Sequence, residues 1–166
     1  MKKVFDSKWF SIEEFRYNDE DFYRLLTQAS VVILALNTNK DLILVKQFRP
    51  CVNKFTYEMP AGSIDKNENP LNAAKRELYE ETGFKSNKWD FLGSGIIRLE
   101  RENVNNFFYF ARDCHQEKNF KCKEDIKVDF FSQKKFSQLV QNNEFDHIAS
   151  LPSIIWAKLK FSVNIL

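Results

Sequence analysis

Apolar positions along the chain fall into short runs, and the polar breaks between them carry residues that turn a backbone. Residues 31 to 48, VVILALNTNKDLILVKQF, hold two runs rich in Val, Ile and Leu on either side of NTNKD. Asn and Asp tolerate turn conformations, so this stretch predicts a hairpin. Ahead of it, KWFSIEEF and DFYRLLTQ predict short strands leading into the domain. Residues 49 to 69, RPCVNKFTYEMPAGSIDKNEN, are polar and broken by Pro and Gly. They predict a long functional loop with one brief strand at Phe55–Met59. Asn69 and Pro70 then supply an N-cap and a first helical residue, and Gly83 supplies a left-handed stop, which predicts a helix over Pro70–Thr82. Further strands are expected at Trp89–Ile97, Phe107–Arg112 and Ile126–Phe131. Ser132 caps a helix running to about Asn142, and a last amphipathic helix carries Ile154, Ile155 and Leu159 with Pro152 near its first turn. No repeat, low-complexity tract or linker interrupts residues 1–166, so the pattern predicts one α/β (α+β) domain around a mixed, partly antiparallel sheet.

On a helical wheel of about 100° per residue, Leu71, Ala74 and Leu78 share the core side of the helix over Pro70–Thr82. Glu77, Glu80 and Glu81 cluster on another side, with only the small Ala73 among them. That cluster breaks two local rules. Acids are disfavoured near the negative end of the helix dipole, and like charges three and four residues apart repel. Violations of this kind tend to mark functional sites. Divalent cations with a taste for hard oxygen ligands, Mg²⁺ or Mn²⁺, would remove the conflict. Arg76 stands four residues before Glu80 and can hold that carboxylate in place. Glu68, in the preceding loop, reads as an acid of lesser weight.

Composition narrows the partners. The chain has 166 residues, 43% hydrophobic and 29% charged, with a net charge of +2, which argues for no nucleic acid and no membrane partner. The start, MKKVFDSKWF, has no apolar segment behind its basic residues, so no signal peptide is expected. The longest apolar run, ASVVILAL, is well short of the ~20 residues of a membrane span. Cys51, Cys114 and Cys122 are odd in number and widely spaced, as befits a reducing cytoplasm. The expected setting is soluble and cytoplasmic. Cys114-His115 with Cys122 lacks the second close ligand pair that a zinc site needs.

The segment GSIDKNENPLNAAKRELYEETGF, residues 62–84, fits the pattern G-x5-E-x7-R-E-U-x-E-E-x-G-U, where U is apolar, at Gly62, Glu68, Arg76, Glu77, Leu78, Glu80, Glu81, Gly83 and Phe84. With ordinary residue frequencies a chance match is on the order of 10⁻¹⁰ per start position. The segment resembles the Nudix box. The resemblance implies a Nudix fold, an α/β/α sandwich, in which a loop–helix–loop binds Mg²⁺ or Mn²⁺ and hydrolyses a diphosphate linked to a nucleoside or similar group. Glu77, Glu80 and Glu81 would bind the metal ions, with Arg76 beside them in the catalytic set.

Sequence flanking the box extends the likeness. VKQFRP and YEMPAG resemble the surroundings of the box in ADP-ribose pyrophosphatases and related nucleoside-diphosphate-sugar hydrolases. By that resemblance Arg49 contacts phosphate, Glu58 is a substrate-side acid, Gln47 lies on the substrate side and the Ala61 carbonyl is a metal ligand. CKEDIKVDFFS resembles the late acidic loop that supplies a further metal-binding carboxylate, here Glu124. Members of that group usually carry a proline about sixteen residues after the box; here the region reads Ile97-Arg98-Leu99-Glu100, and no proline follows Gly83 until Pro152. Arg98 and Arg101 are candidates there for contact with the distal phosphate or sugar, or plain surface charges. The implied substrate is ADP-ribose or a related nucleotide sugar, cleaved to two monophosphates. Hydrolysis of nucleoside triphosphates or of diphosphates such as coenzyme A is the alternative, and ligand binding without catalysis a third. The group's members commonly dimerise through N-terminal strands. That likeness, with Trp9, Phe10, Phe15 and Phe22 ahead of the box domain, implies a homodimer through residues 1–28.

Overall fold

The computed structural model describes residues 1–118, 120–122 and 125–166. The chain opens with a separate antiparallel sheet of three strands in the order β1 (Lys2–Asp6), β2 (Ser11–Tyr17), β3 (Glu20–Leu26). Asn18 and Asp19 join β2 to β3, both at positive φ (48° and 63°), the backbone a two-residue hairpin needs and one that Asn and Asp tolerate. β1 was not expected from LysLysValPheAsp, which has no alternation of its own; it forms by adding to the free edge of β2. These strands contact one another and scarcely touch the main domain.

The main sheet has eight strands: β4 (Ser30–Asn37), β5 (Leu42–Arg49), β6 (Lys54–Glu58), β7 (Ala61–Ser63), β8 (Phe84–Lys85), β9 (Lys88–Gly95), β10 (Asn106–Gln116) and β11 (Ile126–Phe131). Its path runs β11-β5-β4-β10-β8, with β6 on β5, β7 on β4 and β9 on β10. β4 and β10 pair in parallel and the other pairings are antiparallel, so the sheet is mixed, as the sequence pattern predicts. The helices α1 (Pro70–Thr82), α2 (Gln133–Gln141) and α3 (Pro152–Phe161) cover it.

Strand β4 shows how the layers form. Val31, Ile33 and Ala35 pack with Ala73, Ala74 and Leu78 of α1 on one face. Val32, Leu34 and Leu36 pack with Phe136, Leu139, Ile154 and Ala157 of α2 and α3 on the other. A central strand buried on both faces must be apolar without alternation, which is why residues 31 to 36 read VVILAL. The resulting α/β/α sandwich matches the expected architecture.

Two differences from the pattern have local causes. Ala61–Ser63 reads as loop because of Pro60 and Gly62, yet it pairs with Ser30–Val32 and becomes β7. In α3, Ile154 and Ala157 face the core, but Ile155 is 60% and Leu159 is 76% exposed. The two exposed residues, four apart, form a second apolar stripe turned away from the sheet. No helix among the described residues is long and apolar enough to cross a membrane.

Candidate active site

The Asn69 side chain accepts from the Leu71 N–H at 2.9 Å, Pro70 starts α1, and Gly83 ends it at φ 75° with its N–H bonded to the Tyr79 carbonyl. With both ends fixed, the acids of the last two turns stand at set heights above β7. Glu81 is 7% exposed, and its Oε2 accepts the Ala61 backbone N–H at 3.0 Å. The Glu77 carboxylate lies directly against Gly62: a Cβ placed on that glycine would stand 2.1 Å from Glu77 Cδ. A side chain at position 62 would displace the Glu77 carboxylate, and no positive φ sets this glycine apart.

Arg76 gathers the remaining acids. Its Nε donates to Glu68 at 3.0 Å and its Nη2 to the other Glu68 oxygen at 2.9 Å. Its Nη1 donates to Glu77 at 2.7 Å and Glu80 at 3.0 Å, and Nη2 also reaches the Ser63 carbonyl at 2.9 Å. One guanidinium thus holds three carboxylates and the box loop together. The hydrogen bonds to Glu68 are the largest cause of a pKa raised above arginine's ordinary value, and they hold the Glu68 carboxyl below the usual range. Glu68 looks like a bystander in the sequence, but here it is the bidentate anchor of Arg76.

A second cluster stands on β5 and β6. Register sets Gln47 opposite Thr56 and Val45 opposite Glu58. Arg49 donates to both Glu58 oxygens, from Nε at 2.7 Å and Nη2 at 2.6 Å. Thr56 Oγ1 donates to the same carboxylate at 2.6 Å, and Gln47 Nε2 at 3.4 Å. Burial pulls the Glu58 pKa up, but the hydrogen bonds from Arg49 and Thr56 outweigh it and the carboxyl stays below its ordinary value. His147, which no sequence signal marks, is close enough to Glu58 and Arg49 for both to act on its charge. Its Nδ1 is buried without a hydrogen-bond partner, and burial holds its pKa below the usual histidine value. With Glu58, Thr56 and Asp146 it lines a cavity of about 320 Å³.

The other candidates are more scattered. Arg98 pairs with Glu102, and Arg101 binds the Glu100 carbonyl at 2.9 Å while its own carbonyl accepts the Leu25 N–H of β3. Both sit on an exposed loop tied to the N-terminal sheet. Glu124 lies outside the described residues. Cys114 is buried in β10, where burial pushes its thiol up to about 12. The Cys122 thiol faces the Glu80 and Glu81 carbonyls at 3.6 and 3.7 Å.

Among the described residues no three His, Cys, Asp or Glu side chains stand ready-assembled around a metal position. The donor set nevertheless suits a hard divalent cation. Glu77, Glu80 and Glu81 rise from one end of α1, the Gly62 cradle leaves the Glu77 oxygens against the backbone, and carboxylate and carbonyl oxygens are the ligands such ions take. Arg76 sets a positive charge beside Glu77 and Glu80.

Comparison with known proteins gives the family. The family model of the NUDIX domain matches residues 26–151, and the chain belongs to that family. It is 34% identical over 94 residues to an uncharacterized Nudix hydrolase of Schizosaccharomyces pombe, a match covering 48% of this chain and 46% of the relative. It is 37% identical over 101 residues to an ADP-ribose pyrophosphatase of Saccharomyces cerevisiae, covering 51% of this chain and 44% of that one. These matches span less than half the length of either relative. The crystal structure of an ADP compounds hydrolase superposes with a TM-score of 0.80 at 20% identity, over 98% of this chain and 94% of that chain; this likeness shows the shared fold.

Proposed function

We propose that the protein is a divalent-metal-dependent pyrophosphohydrolase acting on ADP-ribose or a related nucleoside diphosphate sugar. The observation that carries the reading is that Arg76 gathers Glu77, seated beside Gly62, and Glu80, while Glu81 on the same end of α1 is tied to Ala61 and Arg49 is paired with Glu58 on β5 and β6. Glu77, Glu80, Glu81 and the Ala61 carbonyl, with Glu124, are the groups that would hold Mg²⁺ or Mn²⁺. Bound there, such a cation supplies charge for the phosphate oxygens and lowers the pKa of a ligated water. The balanced reaction adds water across one P–O–P bridge and releases two monophosphates. The chain's own residues position and orient, which is most of what phosphoryl transfer demands.

Arg49 is the donor for the phosphate oxygens that face away from the metal. Its fork is already aligned by Glu58, and a guanidinium presents two donors in fixed geometry. Arg49→Ala is expected to raise KM for a nucleoside diphosphate sugar more than it lowers kcat, the mark of lost substrate binding. The substrate class itself is tested by kcat/KM for ADP-ribose, ADP-glucose, GDP-mannose and GTP. ADP-ribose or a close relative is expected to lead; a lead by GTP would leave only the metal-dependent chemistry standing. The name of the yeast relative, an ADP-ribose pyrophosphatase, supports the expectation.

We propose further that two copies associate through the N-terminal sheet. Tyr17 at the end of β2 is 61% exposed, and Trp9 and Phe10 in the β1–β2 connection are 77% and 38% exposed, in a sheet with few contacts to the main sheet. Light scattering at micromolar concentration should give twice the mass of the 19.7 kDa chain, and a monomeric mass would count decisively against the dimer. The free cysteines Cys51, Cys114 and Cys122 suit a reducing, cytoplasmic setting, which cell fractionation would check.

A further inference from the structure

Between α1 and the β8–β9 turn lies a hollow of about 360 Å³, lined by Lys75, Arg76, Tyr79, Lys85, Asn87 and Trp89 among others. That volume is at the lower end of the range of small-molecule sites. Its charge sets it apart. The chain has 23 Asp and Glu against 25 Lys and Arg, yet Lys75, Arg76 and Lys85 line the hollow and, among the described residues, no acid does. Charge of one sign gathered in a concave site attracts its opposite.

The hollow has its own side of the helix. At about 100° per residue, Lys75 and Tyr79 share one sector, Glu77 and Glu80 another, and Arg76 stands between them. The Arg76 guanidinium is spent on Glu68, Glu77 and Glu80, so the charge offered to the hollow comes from Lys75 and Lys85. Lys75 has no ion-pair partner among the described residues. Lys85 Nζ lies 4.6 Å from the centre of the Tyr79 ring and 3.6 Å from Glu117 Oε2, in a pair whose side chains are 49% and 38% exposed. Exposed pairs of that kind contribute little, so Lys85 is available to a stronger anion. The rings are fixed by their neighbours. Tyr79 meets Phe120 edge-on with centroids 5.4 Å apart, and Trp89 Nε1 donates to the Ser86 carbonyl at 2.8 Å while its ring meets Tyr109 at 72°. Ser86 Oγ accepts the Lys88 N–H at 2.9 Å, which closes the turn and leaves Asn87 exposed at the rim.

We propose that this hollow is a second ligand site, apart from the carboxylate cluster, for a phosphate monoester that carries an aromatic ring, of the nucleoside monophosphate class. Lys75 and Lys85 take the phosphate as point charges. Tyr79 and Trp89 flank the base, and the Asn87 amide meets the base edge. Cations alone would suit any anion and rings alone any flat apolar group; the two together select a ligand with both. Rings already held in place lose little freedom when the ligand arrives. The site does not depend on the reaction proposed above, although Arg76 belongs to both and puts an occupant next to the hub of the acids.

The test reads Trp89 itself. The chain has three Trp, and in the ¹⁵N-labelled protein the indole N–H signal of Trp89 is the one missing from Trp89→Phe. Titration with AMP, without metal, should move that signal saturably. Adenosine and inorganic phosphate should each bind at least tenfold more weakly than AMP. Lys75 and Lys85 are exposed, so the double variant Lys75→Ala/Lys85→Ala should keep the wild-type melting temperature and weaken AMP at least tenfold. The double variant Lys75→Arg/Lys85→Arg should retain binding. Asn87→Ala, in the exposed turn, should weaken AMP severalfold. Arg49→Ala should leave the Trp89 response to AMP unchanged. No saturable shift of the Trp89 signal, or an undiminished one in Lys75→Ala/Lys85→Ala, overturns the site. Loss of the Trp89 response in Arg49→Ala also overturns it, by placing AMP beside Arg49 instead. None of these measurements involves turnover, so failure of this site and failure of the proposed activity are told apart.

Discussion

Glu81→Gln should fold as the wild type does and lose roughly a thousandfold in kcat, about 4 kcal/mol of transition-state stabilisation. The substitution is nearly isosteric. The amide oxygen of Gln can still accept the Ala61 N–H, now bonded to Glu81 Oε2 at 3.0 Å, so the tie between α1 and β7 survives. The negative charge does not survive. A carboxylate 7% exposed at the crowded end of a helix is poorly placed for stability on dipole and repulsion grounds, and the melting temperature should accordingly stay level or rise slightly. The separation of the two readouts is the point: a charge kept for structure would cost stability when removed, whereas a charge kept to hold a cation costs turnover. Near-wild-type turnover of the variant on its best substrate, at subsaturating Mg²⁺, would remove Glu81 from the metal set.

The parts of this site that the sequence discloses are those written in local chemistry. Asn69, Pro70 and Gly83 set the ends of α1 by capping alone, and the helical spacing of Glu77, Glu80 and Glu81 puts them together whatever else the chain does. The β4–β5 hairpin is equally local, because Asn37 Oδ1 accepts the N–H groups of Asn39 and Asp41, both at 2.9 Å, and so closes its own turn. What stays hidden depends on tertiary pairing. β7 exists because β4 offers an edge to Ala61–Ser63, and nothing in AlaGlySer announces a strand. His147 reaches Glu58 from 89 positions away only because the segment before α3 folds back over β6. Glu68 looked secondary because its spacing to Arg76, eight residues across a loop–helix junction, corresponds to no simple periodicity. Gln47, Arg49 and Glu58 were named individually, yet their shared geometry comes from the β5–β6 register.

Arg76→Met should be the most disruptive single change on α1, because one side chain answers three carboxylates. Its loss leaves Glu68, Glu77 and Glu80 facing one another with no guanidinium among them. The cost should be about 2 kcal/mol at neutral pH, between the worth of an exposed pair and that of a buried one, with turnover lost because Glu77 is no longer held over Gly62. The pH dependence identifies the cause. In the wild type, Arg76 holds the Glu68 carboxyl below its ordinary value of 4.5, so that stability is present above this value and is lost as pH falls through the lowered one. In the variant, mutual repulsion raises the carboxyl pKa values above their unfolded ones, so acidification from neutral pH relieves strain and restores stability. The gap in melting temperature between the two proteins should therefore narrow as pH drops from 7 towards 4.5. Mg²⁺ at neutral pH should narrow it too, by stabilising the variant more than the wild type, since the freed carboxylates gain a cation they lack. A gap that ignores both acid and Mg²⁺ would mean that Arg76 acts through packing alone, and that the acids around it are not a latent metal site.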